Sequence, residues 1–266
     1  MIIDSCKVIK IMGIVNVNDD SFFSGSRVAS VDEFCRRVER FLEEGADIID
    51  IGACSSRPGS VYEGFDTEWA RLSPVLKAVA FKYPSVSFSI DTFSAEIVRR
   101  AYDTIGRFIV NDISAGEDDG AMIPTVGALG LEYVAMHKRG LPADMSSLCQ
   151  YTDVVADVIE YFKEFERKAA GFGICNWILD PGFGFAKTVE QSHQMLRRLG
   201  EFKGFNRPIL VGISRKGLVY KPLGLTPDTC LEETARLHRI AVDAGADILR
   251  VHDVGYTIRS LTAGAS

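Results

Sequence analysis

The residues of this chain best able to do chemistry recur at intervals, each at or near the end of an apolar run. Asn16, Asp50, Asp91, Asn111, His137, Asp180, Ser214 and the pair Arg250 and His252 close eight such runs. Asp91, Asn111 and Asp180 supply two carboxylates and an amide, a set that can bond to the polar edge of an amino-pyrimidinone ring. Lys216 adds a donor for a carbonyl or ring nitrogen. The alternative for the same residues is a hydrogen-bonded polar plug. Arg250 and His252 lie two apart on one strand and so face the same way. Together they suit phosphate oxygens, the guanidinium through its planar fork and the imidazole by taking up charge. A purely structural arginine at that place requires Asp253 or another acid beside it.

Four loops extend this set. Residues 180–188, DPGFGFAKT, join a strand-end carboxylate to Gly182 and Gly184, which let backbone approach a planar ligand, and to Phe183 and Phe185, which can stack on a ring or pack inward. Residues 212–217, GISRKG, place Ser214, Arg215 and Lys216 at a strand-to-helix turn, where backbone N–H groups and cations favour an anion. Residues 50–60 carry Ser55, Ser56 and Arg57 before Pro58, and residues 16–27 carry Asn16, two carboxylates and several hydroxyls. Long Gly/Ser loops of this kind act as substrate lids.

Positioning these groups requires a repeated strand and helix. Strands are expected at about 8–15, 48–52, 86–91, 108–112, 131–137, 177–180, 208–214 and 247–252, the last three reading WILD, PILVGIS and DILRVH. Helices are expected at about 31–42, 66–82, 94–104, 119–128, 150–170, 189–200 and 228–244, with a truncated one after His252. A strand buried on both faces tolerates a polar group mainly where it emerges. Eight emergences spaced by helices therefore describe the rim of a single-domain (β/α)8 TIM barrel spanning 1–266, and that rim is where such barrels keep their chemistry. Two partial echoes, EEGADIIDIG at 43–52 and DAGADILRVH at 243–252, repeat one helix-end, turn and strand device.

Composition narrows the function classes. A net charge of −6 argues against a broad nucleic-acid-binding surface, although a few local cations can still hold an anionic small molecule. The six cysteines are scattered without metal spacing, as expected of reduced thiols in a cytoplasmic protein. Neither a signal peptide nor a membrane span is expected.

In order along the chain, MGIVNV…DSF, DIG…SSRPGS, SIDT, VNDISAG, MHKRG, LDPGFGFAKT, GISRKG and RVHDV resemble dihydropteroate synthase, the folate-pathway family targeted by sulfonamides. The resemblance implies a pterin-binding barrel that joins 6-hydroxymethyl-7,8-dihydropterin pyrophosphate to p-aminobenzoate, releasing pyrophosphate. It implies that Asp91, Asn111, Asp180 and Lys216 hold the pterin, and that Arg250 flanks the ring and meets the pyrophosphate with His252. Ser56 and Arg57 would bind the same pyrophosphate, and Asn16 would contact its Mg²⁺. Phe22, Pro58, Phe185 and Ser214 would frame the p-aminobenzoate site. A homodimer is implied too, with apolar side chains of 228–244 and 254–262 as candidate contacts.

The lids depart from the family pattern. The first reads Asn18-Asp19-Asp20-Ser21-Phe22-Phe23-Ser24-Gly25-Ser26 where TPDSFSDGG is usual, so Asp19 is an added acid and Ser24 replaces one. In the second, Ala53-Cys54 replaces Gly-Glu, which makes the Cys54 thiol a candidate labelling target. Two other readings compete: a methyl-folate:corrinoid methyltransferase, which has no need of the pyrophosphate set, and a catalytically silent pterin-binding protein. His193 and His238 are expected to be surface or satisfied core groups, and His137 structural.

Overall fold

A computed structural model describes residues 2–4, 7–17, 30–54, 62–141 and 144–263. In chain order its elements are β1 (Ile2–Asp4), β2 (Lys7–Asn16), α1 (Val31–Glu43), β3 (Ile48–Gly52), α2 (Phe65–Lys82), β4 (Phe88–Asp91), α3 (Ala95–Ile105), β5 (Ile109–Asp112) and α4 (Met122–Leu129). They continue with β6 (Glu132–Met136), α5 (Val154–Gly171), β7 (Trp177–Asp180), α6 (Val189–Arg197), β8 (Leu210–Val211), α7 (Gly217–Tyr220), α8 (Leu231–Asp243), β9 (Ile248–Val251) and α9 (Val254–Thr262).

Strands β2 to β9 are parallel in the order β7-β6-β5-β4-β3-β2-β9-β8, and a parallel bridge between Leu179 and Ile209 joins β7 to β8. The expected single-domain (β/α)8 barrel is therefore present. Two features were not anticipated. β1 pairs antiparallel with the start of β2, and a one-turn helix, α7, follows β8. β8 is also shorter than the apolar run 208–214 suggested, because Gly212 to Lys216 already turn toward α7.

Local sequence fixes the helix starts. Ser30 caps α1 by accepting from the Glu33 amide, with Asp32 and Glu33 in the first turn beside the positive helix end. Ser94 caps α3 and Asp153 caps α5, while Thr188 and Gln191 form a capping box on α6. Phe34, Cys35, Val38 and Phe41 put one face of α1 into the shell between helices and barrel. The two sequence echoes do the same physical work. Asp47 accepts from the Ile11 amide at 2.9 Å and Asp247 from the Ile209 amide at 2.8 Å. Each satisfies an N–H of a neighbouring strand at the bottom of the barrel.

The barrel interior is layered. Met12, Ile48, Ile109, Val134, Ile178, Leu210 and Ile248 form a buried apolar plug. Two residues further along each strand lies about 6.6 Å, and the side chain returns to the same face. Ile48 is thereby followed by Asp50, Ile109 by Asn111, Ile178 by Asp180 and Ile248 by Arg250. The period-2 alternation thus stacks a polar tier on a hydrophobic floor.

Candidate active site

The polar tier is a connected network. Asn111 donates its amide to Asp50 at 3.2 Å, Arg250 Nε donates to Asp50 at 2.6 Å, and Arg250 Nη2 donates to Asp91 at 2.6 Å. Asp50 is fully buried and Arg250 half-buried. Burial opposes the Arg250 charge, but Asp50 and Asp91 more than offset it and raise the guanidinium above its ordinary value. Burial pushes the Asp91 carboxyl up against the pull of Arg250. The acid needed beside Arg250 is therefore supplied by Asp50 and Asp91, not by Asp253. Asp253 instead forms a two-pronged pair with Arg215, Nε and Nη2 donating at 2.8 and 2.9 Å. That takes Arg215, expected in an anion-binding turn, out of the mouth; its side chain also reaches the Pro227 carbonyl at 2.5 Å.

Asp180 and Lys216 complete the cup. Asp180 Oδ1 accepts from the Gly182 amide at 2.8 Å, and burial raises this carboxyl while Lys216 pulls it down. Lys216 Nζ donates to the Phe183 carbonyl at 3.0 Å and lies 4.6 Å from the centre of the Phe185 ring. Burial brings this ammonium down to about 8. At neutral pH the amine is still mostly protonated, and the aromatic face beside it favours that charge, so Lys216 remains a hydrogen-bond donor to a carbonyl or ring nitrogen. At the rim His252 and Ser214 meet, with the serine oxygen 3.1 Å from Nδ1 and 3.2 Å from the His252 amide that donates to it. Burial and the neighbouring Arg250 charge push the His252 imidazole down to about 3. Burial thus favours the neutral ring over the charged one expected from the sequence, and leaves it able to hydrogen-bond.

Asn16, at the end of β2, closes the circle. A Cβ placed on Gly52 would lie 3.2 Å from Asn16 Oδ1 and 3.6 Å from the Asp91 Cβ, so Asn16 and Asp91 flank the same corner of the mouth and a side chain there would crowd Asn16. The structure thus gathers Asn16, Asp91, Asn111, Asp180, Ser214, Lys216, Arg250, His252 and Phe185 around one mouth. Phe22, Ser56, Arg57 and Pro58 lie outside the described residues.

Several supports were not read from sequence. Asp50 lies in the middle of β3, and its service to Arg250 and Asn111 depends on register. Asp112 accepts from the Ser114 amide at 2.7 Å, the Gly116 amide at 2.8 Å and the Tyr133 hydroxyl, and so fixes the turn that follows Asn111. Lys187, an ordinary surface residue by type, is buried beneath the 180–188 loop. Two expectations about side chains are corrected. Burial and the neighbouring Glu68 push the Cys54 thiol far above its ordinary range, which suppresses the thiolate that labelling needs. His238 is fully buried on α8, and neither ring nitrogen has a partner among the described residues. His193 is satisfied by the Leu218 carbonyl at 3.0 Å.

A polar cup above a hydrophobic floor at the C-terminal end of a parallel barrel, its acids interleaved with Arg250 and Lys216, suits an enzyme that grips a flat polar heterocycle. The family model for pterin binding enzymes matches residues 12–252. The chain belongs to that family, and within it to the dihydropteroate synthases, which makes it a transferase of folate biosynthesis. Dihydropteroate synthase of Escherichia coli strain K12 is 36% identical over 253 residues, covering 94% of this chain and 89% of that one. The crystal structure of the Yersinia pestis enzyme with a sulfonamide drug complex has a TM-score of 0.89 at 34% identity, covering 96% and 92% of the two chains. The Xanthomonas albilineans enzyme with 4-aminobenzoic acid has a TM-score of 0.87 at 34% identity, with the same coverage.

Proposed function

We propose that this chain joins p-aminobenzoate to 6-hydroxymethyl-7,8-dihydropterin pyrophosphate, forming 7,8-dihydropteroate and releasing pyrophosphate. The observation that carries the reading is the tier in which Asp91, Asn111, Asp180 and Lys216 gather around Arg250, with His252 beside it. Likeness to enzymes solved with 4-aminobenzoic acid and with a sulfonamide supports the choice of arylamine.

The arylamine nitrogen forms a bond to the pterin methylene as the C–O bond to pyrophosphate breaks, and the nitrogen then loses a proton. The methylene becomes electron-poor before the new bond is complete. Asp91 and Asp180, held by fixed neighbours, favour the cationic pterin that results, and Lys216 orients the ring through a carbonyl or ring nitrogen. Arg250 and neutral His252 receive the departing anion, joined by Arg57 and Ser56 of the second loop. Phe185 and Ser214, with Phe22 and Pro58, frame the arylamine. None of these residues is a nucleophile or strong base, so the rate comes from positioning and charge.

Mg²⁺ fits this mouth as an ion carried largely by the substrate. Asn16 offers a hard oxygen beside Asp91, while no group of three His, Cys, Asp or Glu side chains among the described residues is placed to hold a metal. A magnesium ion of that kind keeps waters and phosphate oxygens and would neutralise the leaving group, with Asn16 as its protein contact. The reading includes a cytoplasmic homodimer packed through 228–244 and 254–262; among the described residues no helix is long and apolar enough to cross a membrane. Sedimentation velocity tests the dimer.

The deciding experiment is a coupled pyrophosphate-release assay with purified protein, Mg²⁺ and both substrates, omitting each in turn. Release that requires the arylamine supports the reading. Release without it, or none at all, overturns it.

A further inference from the structure

Behind the mouth, Lys187 is buried under the loop that follows β7 with no carboxylate hydrogen-bonded to it among the described residues. Its Nζ lies 2.8 Å from His137 Nδ1, 3.0 Å from the Gly182 carbonyl, 3.0 Å from the Phe185 carbonyl and 3.3 Å from the His137 carbonyl. An ammonium has three N–H donors, and the three closest partners absorb them. The loop these bonds hold has an unusual backbone: Gly182, Gly184 and Ala186 all have positive φ, the last at 49° despite its side chain. Such a path persists only when its surroundings over-determine it. Packing alone leaves one side of it unsupported, because a cavity of about 370 Å³ runs along it, lined by Met145, Cys149, Phe183, Phe185, Lys216 and Tyr220 among others.

The loop carbonyls are divided between two lysines. Lys216, in the cup, receives Phe183 O; Lys187, behind it, receives Gly182 O and Phe185 O. The geometry points to Lys187, seated on His137, as the positioning residue that sets the Phe185 side of the pocket for the arylamine. This inference rests on the synthase reading and adds a residue to it. Asp180 is less dependent on the clamp. It ends a strand, and its own carbonyl accepts from the His137 amide at 3.1 Å. Loss of the clamp therefore loosens arylamine binding more than pterin binding.

The charges around Lys187 agree with this role. Burial brings it down to about 7, Asp180 on β7 pulls it up, Lys216 and Arg139 push it down, and Cys149 pulls it up. Burial and Lys187 itself keep His137 far below its ordinary value, so the ring is neutral. To accept from an ammonium, Nδ1 must be unprotonated and the proton must sit on Nε2.

The test uses the whole enzyme with a Lys187→Met variant of similar length. Expected is a KM for p-aminobenzoate raised at least about tenfold, with kcat and the Kd for 6-hydroxymethylpterin, measured by calorimetry, within about threefold of the parent. An unchanged KM overturns the inference, as does an equal loss in all three quantities, which would mark general damage. Should Lys187→Met fail to fold, or the parent prove inactive and so refute the synthase reading itself, nitrogen-15 NMR of the four histidines of the parent still decides. His137→Gln assigns the signal. An unprotonated Nδ1 supports the clamp, and a protonated Nδ1 overturns it.

Discussion

Replacing Arg250 with methionine tests the charge logic of the site. In the parent the guanidinium serves two acids at once, Asp50 and Asp91, each at 2.6 Å. With Asp50 fully buried and Asp91 16% exposed, solvent screens the pair little. Removing one member of a buried ion pair costs about 3–5 kcal/mol. A second route gives a similar figure: if the orphaned pair escapes by keeping one proton, holding it at pH 7 on a carboxyl of ordinary pKa near 3.9 costs about 4 kcal/mol. At pH 5 the same proton costs about 1.5 kcal/mol. For a chain of this size each kcal/mol moves Tm by about 2–4 °C. The deficit of Arg250→Met against the parent is then about 10 °C at pH 7 and about 4 °C at pH 5. The sign follows from an acid whose folded pKa is raised: its stabilisation is complete below the unfolded value and is lost as pH rises through the folded one. Thermal melts of both proteins across pH 5–8 provide the measurement. A deficit that stays constant over that range would refute the reasoning, because Arg250 would then be filling space, not neutralising charge. Turnover in the pyrophosphate assay is expected to fall by at least about a hundredfold, roughly 3 kcal/mol, and a near-normal rate would remove Arg250 from the reaction.

Three further outcomes are expected. Gly182→Ala places a Cβ 1.9 Å from the His137 carbonyl oxygen at a φ of +73°, and should lose at least about 3 kcal/mol in denaturant melts; Gly204→Ala, with open space around it, is the control that should stay near the parent. Alkylation at pH 8 followed by mass spectrometry should modify exposed Cys175 well before Cys54, and Glu68→Gln should speed Cys54; a fast Cys54 in the parent would contradict the buried, acid-flanked thiol. His238, brought by burial down to about 4, is a base with a depressed pKa. Its contribution is present above the ordinary value of 6.5 and is lost as pH falls through the folded one, about 3 kcal/mol in all. His238→Leu should lose correspondingly less stability than the parent between pH 6.5 and 4, and parallel curves would show that the ring titrates freely.

The sequence made legible whatever obeys a local period. Val/Ile runs ending in Asp91, Asn111, Asp180 and Arg250 reveal both the strands and the tier above the plug, because alternation fixes which residues share a face. Gly and Pro marked the loops, while the helix starts are set by caps at Ser30, Ser94, Asp153 and Thr188 that the apolar pattern alone does not show. Pairing across the barrel stayed hidden. Asp253 is three residues from Arg250 and was the natural partner to nominate, yet Asp50, two hundred residues away, holds it. Residues three apart along extended chain point to opposite sides, and Asp253, past the end of β9, turns to Arg215. Lys187 escaped notice for a related reason: nothing in AKT distinguishes a solvated lysine from one swallowed by the carbonyls of its own loop.

The same division explains why the pocket and its supports differ in kind. Groups meant for a ligand must emerge from strand ends, where their own backbone is already satisfied and a side-chain donor or acceptor can be kept for something that is not protein. Groups that hold the loops must be consumed completely, as Lys187 is by two carbonyls and an imidazole and Asp112 by two amides and two hydroxyls. Arg250 falls between these cases, tied to Asp50 and Asp91 yet set at the rim. A pyrophosphate arriving there must compete with carboxylates that already satisfy the cation, so its binding should strengthen when Asp50 is made Asn. Calorimetry with pyrophosphate on Asp50→Asn reads this directly, and weaker binding than in the parent would mean that Asp50 aims the guanidinium more than it restrains it.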